Sequence, residues 1–105
     1  MIRITVQKKQ GNYRLFESAG HAEYAEEGSD IICAAVSTLI ITTFNAMEKF
    51  TSEQFEDTDS DGYVRAVFHG ENTPEGRLLM ETLLLGLTQI QEEYPEYLKV
   101  KIREV

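Results

Sequence analysis

The chain has 105 residues and a single cysteine, Cys33, and that scarcity removes several kinds of chemistry at once. No internal disulfide can form, no redox dithiol is available, and a structural zinc site, which needs four convergent ligands, finds at most three in one cysteine and two histidines. Basic residues are also sparse. Ten Lys and Arg stand against 18 Asp and Glu, a formal net charge of −8, and affinity for a phosphate backbone is built largely from cationic side chains that release counterions. Nucleic acid is therefore not an expected partner. An acidic surface hastens encounter with a basic partner, although acidity alone is more often a matter of solubility. Long apolar runs are missing too. Met1-Ile2-Arg3-Ile4-Thr5-Val6 alternates apolar and polar residues where a signal peptide carries an unbroken apolar stretch. The longest apolar stretch, Ile31 to Met47, is interrupted by Ser37, Thr38, Thr42, Thr43 and Asn45 and falls short of the roughly 20 residues of a membrane span. A cytoplasmic protein without a membrane segment is expected.

Two further motifs fail on inspection. Asp57-Thr58-Asp59-Ser60-Asp61-Gly62 matches the opening of a calcium loop, but the twelfth position, which must be a bidentate glutamate, is Phe68. The glycines at 70 and 76 bracket no lysine and have no phosphate-loop spacing. No metal or cofactor is expected.

What is present reads as one α+β domain over residues 1–105, a length and a 42% hydrophobic content suited to a single core. Ile2, Ile4 and Val6 alternate with polar residues as in a strand, Gly11-Asn12 marks a turn, and Tyr13 to Ser18 supplies a second strand that ends at Ala19-Gly20-His21-Ala22. After a polar loop, Ser29 or Asp30 can cap a helix running to about Phe50. With Asp30 as cap, Cys33 falls at the third helical position. Gln54–Asp59 and Tyr63–His69 pair around Asp61-Gly62, a dipeptide suited to a tight hairpin turn. Thr73-Pro74 opens a second helix with Leu79, Leu83, Leu87 and Ile90 as its buried stripe, and Tyr97–Glu104 is a last strand. The order ββαββαβ predicts a two-layer arrangement, a mostly antiparallel sheet with two long helices packed on one face.

Within that frame Cys33 and His21 are the residues that suggest chemistry. A thiol attacks as its thiolate, and an ordinary cysteine with a pKa of about 8.5 is mostly protonated at neutral pH. Unpaired amides at a helix N-terminus and a nearby imidazole both favour the anion. A cysteine in an apolar helix is otherwise a small buried hydrophobe, and a histidine at a strand end is commonly solvated. The eleven residues between the two can fold back and bring them together, with His69 as a second candidate for the base. Asp30 suits a helix cap, and Ser37, one turn after Cys33, can bond either near the site or back to a helix carbonyl. Glu23, Glu26, Glu27 and Asp30 form an acidic rim beside this region. Phe16, Tyr24 and Phe68 are candidates to receive aromatic substrate side chains, against a core role.

Gly20-His21-Ala22, followed by Gly28-Ser29-Asp30-Ile31-Ile32-Cys33-Ala34-Ala35-Val36-Ser37, resembles the signature of the bacterial ribosomal-processing cysteine protease family. Length, element order and the leucine-rich second helix extend the resemblance along nearly the whole chain. It implies an endopeptidase that removes the N-terminal extension of large-subunit ribosomal protein twenty-seven after a Phe-Phe motif and works as a homodimer. It also implies Cys33 as nucleophile, His21 as base, supporting roles for Gly20, Asp30 and Ser37, and a mobile loop after His21 that closes over substrate. The competing expectation is a non-catalytic acidic α+β module that binds a ribosomal or assembly partner, with Cys33 merely packed. A third, an oxidant-sensing thiol, lacks a resolving cysteine.

Overall fold

The computed structural model describes residues 1–21 and 27–105, with only the backbone of 27–30. Its elements are β1 (Ile2–Lys9), β2 (Asn12–Ala19), α1 (Glu27–Phe50), β3 (Phe55–Ser60), β4 (Tyr63–Phe68), α2 (Pro74–Glu93) and β5 (Leu98–Glu104). The strands form one sheet in the order β3-β4-β2-β1-β5. All neighbours are antiparallel except β1 and β5, which run parallel. The expected α+β order is thus observed, on a mixed sheet.

Period-two alternation decides which strand face meets the helices. Ile2, Ile4 and Val6 of β1, Phe16 of β2, Ala66 and Phe68 of β4 and Leu98 of β5 are buried in one core with residues of both helices. On α1 the contributing residues are Ile32, Val36, Ile40, Phe44 and Met47, the three-to-four spacing of one helical stripe. Phe44 fixes this helix to the sheet: its ring lies 5.4 Å from Phe16, 5.7 Å from Phe55 and 6.3 Å from Phe68, all tilted contacts. Over Ile31–Phe50 the helix is long and apolar enough to cross a membrane. The interruptions in the apolar run therefore did not decide that question, and the core stripe is what occupies the helix here.

The expected stripe on α2 is rotated. Met80, Leu83, Leu84 and Leu87 are buried while Leu79 and Ile90 are only partly so, because leucines on several sides of this helix leave its phase ambiguous. On β5, Leu98 is buried but Ile102 is half exposed, on a strand that lies at the sheet edge. The start of α2 follows the sequence reading. Thr73 is the N-cap, accepting from the Gly76 amide at 2.9 Å, with Pro74 in the first turn. Glu53 adds a second cap: its buried carboxylate accepts from the Thr73 amide at 2.8 Å and the Thr73 hydroxyl at 3.2 Å. A side chain at Gly76 would run into that carboxylate.

Candidate active site

The sheet order gathers the site at one end. Because β2 is antiparallel to both neighbours, its C-terminal end lies beside the starts of β1 and β4, with Arg3 opposite Ala19 and Ala19 opposite Tyr63. One residue beyond, the Gly20 amide donates to the Gly62 carbonyl at 2.9 Å, which laces the strand exit to the turn between β3 and β4. Gly20 has φ of +99°, and a Cβ there would lie 2.5 Å from the Met1 carbonyl oxygen. Only glycine meets both conditions without a shift of the backbone. The sharp exit that delivers His21 is therefore written into residue 20.

α1 completes the arrangement. Spacings of three and four put Cys33, Val36, Ser37, Ile40 and Ile41 along one side of the helix, where they line a cleft of about 270 Å³ together with His21, Ser18, Ile2 and the hairpin residues Asp59 to Val64. His21 is exposed and Cys33 half buried. The sequence reading required imidazole and thiol to meet across the eleven intervening residues, and both line this one cleft. Ile2, Val36, Ile40, Ile41 and Val64 give it an apolar part; Asp59, Ser60 and Asp61 give it an acidic wall.

Helix α1 begins at Glu27, so neither Ser29 nor Asp30 is its cap, contrary to the sequence expectation. Cys33 becomes the seventh helical residue instead of the third. Its amide is then taken by the helical ladder, and the unpaired amides lie a turn earlier. The physical reason for the miss is that acidic residues are favoured in a helix's first turn, so a polar segment that looks like loop extends the helix. The Asp30 side chain, the acidic rim, Tyr24 and the loop expected to close over substrate lie outside the described residues.

Ser37 does not bond back to its helix among the described residues. Thr43, Thr82 and Thr88 do, to carbonyls four residues earlier at 2.7, 2.8 and 2.9 Å; the Ser37 residue instead contributes to the cleft wall. His69 is not at the site. Its half-exposed ring lies 3.7 Å from Glu56 at the far end of the hairpin. Phe16 and Phe68 are core residues, and neither is among the described residues that line the cleft. The hairpin tip, Asp59 to Gly62, was missed as part of the site because its place beside β2 depends on sheet order, which no local pattern carries. Tyr63 braces it from below, donating to Glu17 Oε2 at 2.6 Å. That bond holds the phenol above its usual 10.0, burial and the Glu17 charge acting the same way and Arg65 opposing them. Among the described residues no three His, Cys, Asp or Glu side chains converge to hold a metal ion.

A thiol and an imidazole lining one partly apolar cleft are the ingredients of nucleophilic acyl transfer. The family model for the cysteine protease Prp matches residues 1–99. The chain belongs to the Prp family. The ribosomal processing cysteine protease Prp of Bacillus subtilis is 33% identical over 107 residues, spanning 95% of this chain and 96% of its own length. That of Staphylococcus aureus is 33% identical over 88 residues, 80% and 81% of the two chains. A crystal structure of the S. aureus ribosomal processing protease Prp with a covalently linked product peptide shares the fold at a TM-score of 0.89 and 30% identity, covering 97% of this chain and 99% of that one. A second, with a substrate peptide, has the same TM-score at 28% identity. The family is thus one of cysteine proteases of ribosomal processing, and the α+β fold of this chain is the fold of those structures.

Proposed function

We propose that this Prp-family chain is a cytoplasmic endopeptidase, working as a homodimer, that removes the N-terminal extension of large-subunit ribosomal protein twenty-seven after a Phe-Phe motif. The observation that carries the proposal is the single cleft that His21 and Cys33 share. His21 takes the proton of the Cys33 thiol, and the sulfur attacks the carbonyl carbon of the second phenylalanine. The tetrahedral adduct collapses as the imidazolium gives its proton to the leaving amine. The N-terminal fragment remains as a thioester on Cys33. Water then attacks that thioester, surrendering a proton to His21, and the acid product departs with the thiol restored.

The rest of the cleft suits such a substrate. Its apolar part, between Val36, Ile40, Ile41 and Val64, suits a phenylalanine side chain. Asp59 and Asp61, on a chain of net charge −8, favour the approach of a basic polypeptide. Ser37 supports the site from one turn beyond the nucleophile. The test is to incubate the protein with a peptide bearing a Leu-Gln-Phe-Phe extension and to read the products by mass. Cleavage after the second phenylalanine, lost in Cys33→Ala and His21→Ala variants that keep the parent's melting temperature, is the expected result. An uncut peptide, or cleavage that survives either substitution, removes the proposal and leaves the binding-module reading.

A further inference from the structure

We infer that Gly62, at the tip of the β3–β4 hairpin, is a positioning residue for His21: it seats the imidazole over the cleft because it has no side chain. This rests on the reading of His21 as the base. An ideal Cβ at Gly62 would press into the Nε2 end of the His21 ring, standing 2.9 Å from Cε1 and 3.1 Å from Cδ2. The imidazole therefore rests on the backbone of the turn itself. The same residue holds His21 from a second direction, since its carbonyl accepts from the amide of Gly20, the neighbour of His21 in sequence, at 2.9 Å. One residue thus fixes both the chain that carries the imidazole and the ring. The turn is itself held to the sheet, with Ser60 opposite Tyr63 in the hairpin and Tyr63 opposite Ala19 across β4 and β2.

The consequence is specific to substitution at 62. Any side chain there must tilt or displace the ring, and a misplacement of about 1 Å in reacting groups costs on the order of 100-fold in rate. Gly62 also has φ of +71°, so its alanine variant carries backbone strain besides the clash. Gly70 separates the two effects: it has the same φ of +71°, with nothing within 4 Å of an added Cβ. Strain alone appears in Gly70→Ala; strain and ring contact appear in Gly62→Ala.

The experiment compares these variants in the full chain by peptide cleavage, thermal melting and imidazole NMR. Two histidines make the spectrum simple, and His69, at the other end of the hairpin, is the internal reference. Gly62→Ala is expected to lose kcat about 100-fold with a much smaller change in KM, and to move the His21 ring resonance while that of His69 stays. Gly70→Ala is expected to melt lower by the strain alone, no more than Gly62→Ala does, and to keep its kcat. Equal kcat in the two variants, or an unmoved His21 resonance in Gly62→Ala, overturns the inference. Should Gly62→Ala fail to fold, the parent decides: its Gly62 α-proton signals are expected to carry a ring-current displacement that disappears in His21→Ala, and signals identical in the two proteins overturn the inference. Failure of the base assignment looks different, because His21→Ala then cleaves like the parent whatever the NMR comparison shows.

Discussion

Replacing Gly20 by alanine tests the link between fold and site most sharply, because the two costs can be worked separately. An L-residue at φ of +99° stores about 1 to 3 kcal/mol of backbone strain. The added Cβ would also stand 2.5 Å from the Met1 carbonyl oxygen and 3.5 Å from its carbon, and both belong to backbone with no rotamer to turn. Relief therefore requires the start of β1 or the exit of β2 to move, an overpacking cost of about 1 to 3 kcal/mol. The sum, about 2 to 6 kcal/mol, is a large part of the roughly 5 to 15 kcal/mol that holds a domain of this kind folded. Because the neighbouring residue is His21, the shift that relieves the clash also displaces the imidazole, and activity falls on the order of 100-fold in molecules that remain folded. Urea unfolding of Gly20→Ala gives the first quantity and kcat of the folded fraction gives the second. A variant within about 0.5 kcal/mol of the parent, or a destabilised one with unchanged kcat, would refute the reasoning.

Three other predictions follow from the geometry. Gly76→Ala, which helix propensity alone makes stabilising by about 1 kcal/mol, is expected to destabilise because its Cβ meets the buried Glu53 carboxylate; in a Glu53→Ala background its sign reverses, a double-mutant cycle readable by denaturant melts. Tyr13 and Tyr63 are both held above 10.0, Tyr13 by burial first, with the Glu81 charge adding and Arg77 opposing, and Tyr63 by its bond to Glu17. Both phenols favour the protonated fold, so their contribution is complete below about pH 10 and is lost as pH climbs through the raised values; stability against pH should fall there, less steeply in Tyr13→Phe. Asp59→Asn with Asp61→Asn should lower kcat/KM for a basic peptide and flatten its decline with salt, leaving a neutral peptide's kcat/KM nearly unaffected.

How much of this was legible in the sequence depends on whether the signal was local. The Thr73-Pro74 helix start, the Asp61-Gly62 turn and the alternating strands each rest on a few adjacent residues, and each is observed. The parallel pairing of β5 with β1 and the placing of β4 beside β2 are long-range facts with no adjacent-residue signature. Gly62 was readable as a turn residue but not as a neighbour of His21 for that reason. Glu53 was missed altogether, since a glutamate between two elements looks solvated, and its burial follows only from where the start of α2 docks. His21 and Cys33 were visible as residue types at a telling spacing, while their common cleft depended on the sheet that aligns them.

The central claim is that Cys33 attacks the peptide with His21 as its base, and intact-protein mass after an acid quench tests it most directly. Mixed briefly with the Phe-Phe peptide, the parent should gain the mass of the N-terminal fragment as a thioester on Cys33, a species absent from Cys33→Ala and scarcely formed by His21→Ala. Rapid thioester formation without His21, or product released by a Cys33→Ala protein, would contradict it.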